Sequence, residues 1–115
     1  MMDPLSTLPV GSLAVIFFSR LGQDLAGYEE TADRMLDLAR QQDGFLGVDS
    51  LRDSSGLGVT VSYWRDRAAA AAWKRVAEHR LAQQQGSARW YSQWSLHICR
   101  VEESRCFGQA DEERR

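Results

Sequence analysis

Leu13-Ala14-Val15-Ile16-Phe17-Phe18 is an unbroken apolar run rich in β-branched and aromatic residues. A strand with one wet face alternates apolar and polar positions. A run with no polar position puts apolar side chains on both faces and belongs in the middle of a sheet. Any fold built around it must cover both faces of that sheet.

The rest of the chain supplies cover for one face. Asp24 is placed to cap a helix whose apolar positions Leu25, Tyr28, Ala32, Met35, Leu36 and Ala39 recur at steps of three and four, with Glu29, Glu30, Asp33, Arg34, Asp37 and Arg40 turned to water. Asp43-Gly44 ends it, because glycine accepts the left-handed conformation that a helix C-terminus often needs. Phe45 to Asp53 and Leu57 to Trp64 read as antiparallel strands joined by the turn Asp53-Ser54-Ser55-Gly56. Asp66 caps a second helix with the stripe Ala69, Trp73, Val76, Ala77 and Leu81, which bends near Glu78 into a short helix stopping at Gly86. From Trp90 to about Arg105 a long strand alternates Trp94, Leu96 and Ile98 with Gln93, Ser95 and His97. The order β-α-β-β-α-β is the ferredoxin-like arrangement, an α+β fold with an antiparallel sheet and both helices on one face. Its other face stays apolar and open, and isologous pairing with a second copy is the simplest cover, so a homodimer is expected.

At 115 residues and 43% hydrophobic content the chain makes one domain. Residues 1–11, with Pro4 and Pro9, form an N-terminal arm, 12–107 the domain and 108–115 a polar tail. A net charge of −2, from 14 basic and 16 acidic residues scattered along the chain, gives no footprint for nucleic acid or an anionic membrane. There is no secretory pattern and no apolar run near the roughly 20 residues that span a bilayer, so a cytoplasmic location is expected. Cys99 and Cys106 lie roughly 23 Å apart if extended at ~3.3 Å per residue, and read as reduced thiols. His79 and His97, far apart in the chain, and cysteines without C-x₂-C spacing give no metal cluster. Gly56-Leu57-Gly58 sits at a hairpin and opens no phosphate-binding helix.

An ordered series of short motifs carries a resemblance: Leu13 to Ser19, Gly44-Phe45-Leu46-Gly47, Val59 to Trp64, Trp73-Lys74, Glu78-His79, Ala82-Gln83 and Trp90-Tyr91. Together, over Pro9 to Phe107, the chain resembles the antibiotic biosynthesis monooxygenase family of dimeric α+β barrels. The resemblance implies a homodimer and, in the oxygenase branch, no cofactor: an electron-rich phenolic or enolic substrate is deprotonated and itself reduces oxygen. The protein then supplies an apolar pocket, a proton acceptor and hydrogen bonds to the developing oxyanion. His79 is the candidate proton acceptor, since it is the only histidine near the aromatic-rich helix and imidazole exchanges protons near neutrality. Gln83 shares its helical face at i,i+4, and Trp64, Trp73, Trp90 and Tyr91 offer substrate-binding walls.

Each residue also has a packing role open to it. Trp73 sits in the core stripe, Trp64 ends a strand before a helix cap, Trp90 and Tyr91 suit an interface, and His79 suits a hydrogen-bonded helix edge. Haem chemistry, found in another branch of the fold, is disfavoured: the chain has no asparagine, and Gln83 stands where that branch carries its haem-ligating histidine, leaving His79 only in a shifted register. Two functions are thus carried forward. One is a cofactor-independent monooxygenase of small aromatic or quinol-like compounds; the other is a non-catalytic dimer that binds a small hydrophobic ligand or partner.

Overall fold

The structure, a computed structural model, describes residues 5–83 (backbone alone for 81–83) and 89–108. Its elements are β1 (Leu13–Leu21), α1 (Tyr28–Arg40), β2 (Phe45–Arg52), β3 (Leu57–Trp64), α2 (Arg67–Gln83) and β4 (Tyr91–Arg100). The strands form one sheet in the order β2-β3-β1-β4, with every neighbouring pair antiparallel. This is the ferredoxin-like α+β fold, and the opening apolar run lies inside the sheet between β3 and β4.

Side chains alternate along a strand, so residues paired across the ladder share a face. Val15 pairs with Ser62 and Ile98, Phe17 with Thr60 and Leu96, and Ser19 with Gly58 and Trp94. Both helices cover that face. There Leu13, Val15 and Trp64 meet Ala39 of α1 and Ala69, Ala70 and Trp73 of α2. The alanines let α2 lie close to the sheet, and the long aromatics fill the space that remains. The opposite face carries Ile16, Phe18, Val59 and Val61, and on it Phe18 and Leu51 stay 43% and 75% exposed.

Local chemistry explains the boundaries. Asp66 caps α2 by accepting the Ala69 N–H at 2.9 Å, and that bond, then Arg65, holds its carboxyl below the ordinary range. The Asp53 carboxylate closes the β2–β3 turn on the N–H groups of Ser55 and Leu57.

Four expectations need correction. Asp24 does not cap α1: it accepts the Ala26 N–H at 3.2 Å, and Gly27, at φ 78°, turns the chain so that the helix starts at Tyr28 and Leu25 stays outside it. No bend appears at Glu78, since α2 has neither glycine nor proline and runs unbroken to Gln83; the short helix expected up to Gly86 falls outside the described residues. β4 begins at Tyr91, with Trp90 in the turn before it, and ends at Arg100. Beyond Val101, which bonds with Gly11 and Ser12, Pro9 has no N–H to extend the ladder.

Gly44 is the tightest point of the frame. Its φ is +85°, and a Cβ there would lie 2.5 Å from the Ala69 Cβ, itself fixed by helix packing. Gly44→Ala is expected to cost at least about 2 kcal/mol, from left-handed strain and overpacking together. A urea titration reads it as a lowered midpoint at unchanged slope.

Candidate active site

A cavity of about 600 Å³ lies between the sheet and the two helices. Val15, Phe17, Val48 and Leu96 form its floor, and Met35, Leu36 and Ala39 of α1 with Trp73 and Ala77 of α2 form its roof. Ala32 and Ala39 of α1 and Ala77 of α2 leave unfilled the space that larger side chains would occupy, which is where the open volume comes from. The floor hydroxyls are already engaged: Ser50 and Thr60 share a hydrogen bond of 2.8 Å, and Ser62 accepts the Trp64 indole N–H at 2.9 Å. What the floor offers is therefore mostly apolar contact.

Aromatic rings stiffen both ends. At one end Trp73 stacks on Trp64 at 5.6 Å, and Phe45 meets Trp64 edge-on at 5.5 Å. At the other, Phe17 contacts Tyr91 and Trp94, while Tyr28 stands edge-on to Tyr91 and Trp90. Trp90 is buried and donates its indole N–H to the Ala26 carbonyl at 2.8 Å, fixing the loop that leads into Tyr28. Burial raises the Tyr91 phenol above its ordinary value; the Tyr28 phenol beside it adds to the rise, and the Arg52 charge opposes it.

Charge enters the wall at two places. Lys74 and Glu78, one helical turn apart on α2, pair at 3.8 Å. Arg52, the last residue of β2, is held by uncharged acceptors: Nη1 donates to the carbonyls of Ser19 and Gly56, and Nη2 to Ser19 Oγ at 2.8 Å and Tyr28 Oη at 3.1 Å. Among the described residues the ion pairs join Arg40 to Asp37, Arg65 to Asp43 and Asp66, Lys74 to Glu78 and Arg105 to Glu103, and none includes Arg52.

The structure brings together some of the residues expected at the site. Trp73 and Tyr91 line the cavity. Trp64 and Trp90 stand one layer behind, as supports for Trp73 and Tyr28. His79 is exposed and takes no part in the wall, because the lining positions Trp73, Lys74, Ala77 and Glu78 define a helix face that turns away by the next residue. The Gln83 side chain lies outside the described residues. Sequence reading did not single out Tyr28, Arg52, Glu78 or Trp94 as site residues. Period-two alternation in β2, Val48-Ser50-Arg52, puts Arg52 on the helix-covered face, and that was the available signal.

Among the described residues no three of His, Cys, Asp or Glu gather where they could hold a metal ion. No described helix is long and apolar enough to cross a membrane. Cys99 and Cys106 are free and exposed.

A four-stranded antiparallel sheet of this order with two helices on one face is the ferredoxin-like subunit from which the dimeric α+β barrel class is built, and the family match places the chain in that class. Within that class the chain belongs to the antibiotic biosynthesis monooxygenase family, whose sequence profile matches residues 14–85. It is 43% identical over 108 residues to the uncharacterized protein YqjZ of Bacillus subtilis (strain 168), covering 93% of this chain and 95% of that protein. Its fold is similar to that of SnoaB, a cofactor-independent oxygenase from Streptomyces nogalater, with a TM-score of 0.66 at 14% identity over 82% of this chain and 96% of that one. It is also similar to Rv0793 from Mycobacterium tuberculosis, with a TM-score of 0.66 at 19% identity over 80% of this chain and 96% of that one.

Proposed function

We propose that this protein is a cytoplasmic homodimer and a cofactor-independent monooxygenase of small aromatic or quinol-like compounds. The observation that carries the reading is the aromatic-walled cavity of about 600 Å³ beneath the helices of a chain from this family. Flat apolar walls suit a planar ring and exclude water from a substrate anion that must hand electrons to oxygen. Glu78 is the carboxylate of the lining and takes the role of proton acceptor, in place of the His79 expected from the sequence. The exposed thiols of Cys99 and Cys106 suit a reducing compartment.

Oxygen uptake with anthrone and a panel of hydroquinones tests the activity. Glu78→Gln is expected to slow uptake by roughly a hundredfold or more, the usual contribution of a positioned base, while His79→Ala leaves it unchanged. A rate that falls with His79→Ala and not with Glu78→Gln reverses the assignment. The second reading, a non-catalytic binder of a small hydrophobic ligand or partner, draws on the same walls and is favoured by the floor hydroxyls being engaged, Ser50 with Thr60 and Ser62 by the Trp64 indole N–H. Tryptophan quenching by the whole panel without any turnover decides for it.

A further inference from the structure

Arg52 is built into the mouth of the cavity with unusual care for an exposed arginine. Its side chain crosses β3 at Gly58, its partner in the ladder, where a Cβ would lie 2.6 Å from the guanidinium carbon. A bare backbone at that position is what allows the guanidinium to lie flat. Four hydrogen bonds to β1, the β2–β3 turn and α1 then fix it in place.

Those acceptors satisfy its Nη hydrogens, and among the described residues no carboxylate pairs with its charge. Asp53, next in the chain, turns its carboxylate into the hairpin onto Ser55 and Leu57. Every other titratable group of the lining is accounted for: Lys74 and Glu78 neutralise each other on α2, and Tyr28 and Tyr91 are phenols. The Tyr28 hydroxyl accepts from Arg52, so its own proton remains to be given, and donation from a cation strengthens the bond it gives. A fixed cation, a polarised phenol and a second phenol thus converge on one end of an apolar, aromatic slot.

We infer that the Arg52–Tyr28–Tyr91 end of the cavity is an anion subsite, and that the ligand is a small planar ring bearing an ionised oxygen, a carboxylate or a phenolate. Tyr28 donates to that oxygen, the Tyr91 phenol stands beside it, and Arg52 is a positioning residue that acts through Tyr28 and through its field. Arg52 itself lines the cavity and bonds the Tyr28 hydroxyl, so its charge stands at the ligand's end of the slot. The inference deepens the ligand-cavity half of the function proposed above and does not depend on turnover.

Calorimetric titration of the full chain with 2-naphthoate and its neutral isostere 2-naphthamide tests the carboxylate arm. Titration with 4-nitrophenol, whose absorbance reports its ionisation, tests the phenolate arm. The wild-type protein is expected to prefer the charged form by at least about tenfold in either arm, as one charge-assisted hydrogen bond allows. The arm that shows the preference names the ligand class. Arg52→Gln erases the preference, lowering naphthoate affinity far more than naphthamide affinity. Gly58→Ala does the same by displacing the guanidinium while the chain keeps its charge, which covers the case of an Arg52 variant that folds poorly. Tyr28→Phe, which keeps the ring and loses the proton, reduces the preference. Equal affinity for charged and neutral probes, no binding of either, or a preference that survives both Arg52→Gln and Gly58→Ala overturns the inference. Preference without oxygen uptake leaves the subsite standing and removes the oxygenase; uptake without preference does the reverse.

Discussion

Replacing Trp64 with alanine is expected to lower the stability of the fold by about 3–5 kcal/mol, the range for deleting a large buried aromatic. Trp64 is fully buried at the end of β3, stacked on Trp73 and edge-on to Phe45. Its indole N–H also satisfies Ser62. Deletion opens a void between the sheet and α2 that neither the backbone of β3 nor the capped start of α2 can close. Small domains hold only about 5–15 kcal/mol in total, so the variant sits close to its unfolding transition in water. A urea titration followed by far-ultraviolet circular dichroism measures the loss. A fall below about 1 kcal/mol, the cost of a tolerated repacking, shows that Trp73 and Phe45 collapse into the void. Trp64→Phe keeps most of the apolar contact and is expected to cost less than half as much. Because Trp73 is both the partner of Trp64 and a wall of the cavity, ligand affinity falls along with stability.

The contrast between Trp64 and Arg52 explains how much was legible before the fold was known. Trp64 ends an apolar strand, and any burial argument puts it inside. The run from Leu13 to Phe18, the hairpin signal from Asp53 to Gly56 and the Asp66 cap likewise speak through local chemistry, and the topology follows from them. Arg52 looks like a charge at a strand end until the register places it opposite Gly58, and its partners Ser19 and Tyr28 come from two other elements. An isolated glycine inside a strand was the available hint of a close approach. His79 stands apart for a different reason: one residue along a helix is a turn of 100°, enough to take a side chain off the cavity rim where Glu78, itself 64% exposed, sits. Periodicity locates a stripe well and its edges poorly.

Phe18→Lys is expected to convert the proposed homodimer into a monomer without unfolding the subunit. Phe18 lies in β1 on the face turned from the helices, beside Val59 of β3 and Ser95 of β4, and is 43% exposed in the single chain. A lysine there reaches water in the free subunit, so the cost to the isolated fold is small. In an isologous pair the same face meets itself, so the substitution enters twice. Each copy removes a large aromatic from apolar contact, worth about 2–3 kcal/mol, and brings in a charge that has no carboxylate in its own ladder pairing. The dimer dissociation constant is then expected to rise by at least a hundredfold, on the order of 2.7 kcal/mol. Sedimentation velocity over a dilution series reads this directly, and a melting curve at the lowest concentration checks that the monomer remains folded. A dimer that survives the substitution unchanged places the interface elsewhere, and Phe18, Val61 and Leu51 then need another cover. If the dimer is lost while the preference for naphthoate over naphthamide persists, each subunit holds a complete ligand site, as a cavity enclosed between its own sheet and helices requires.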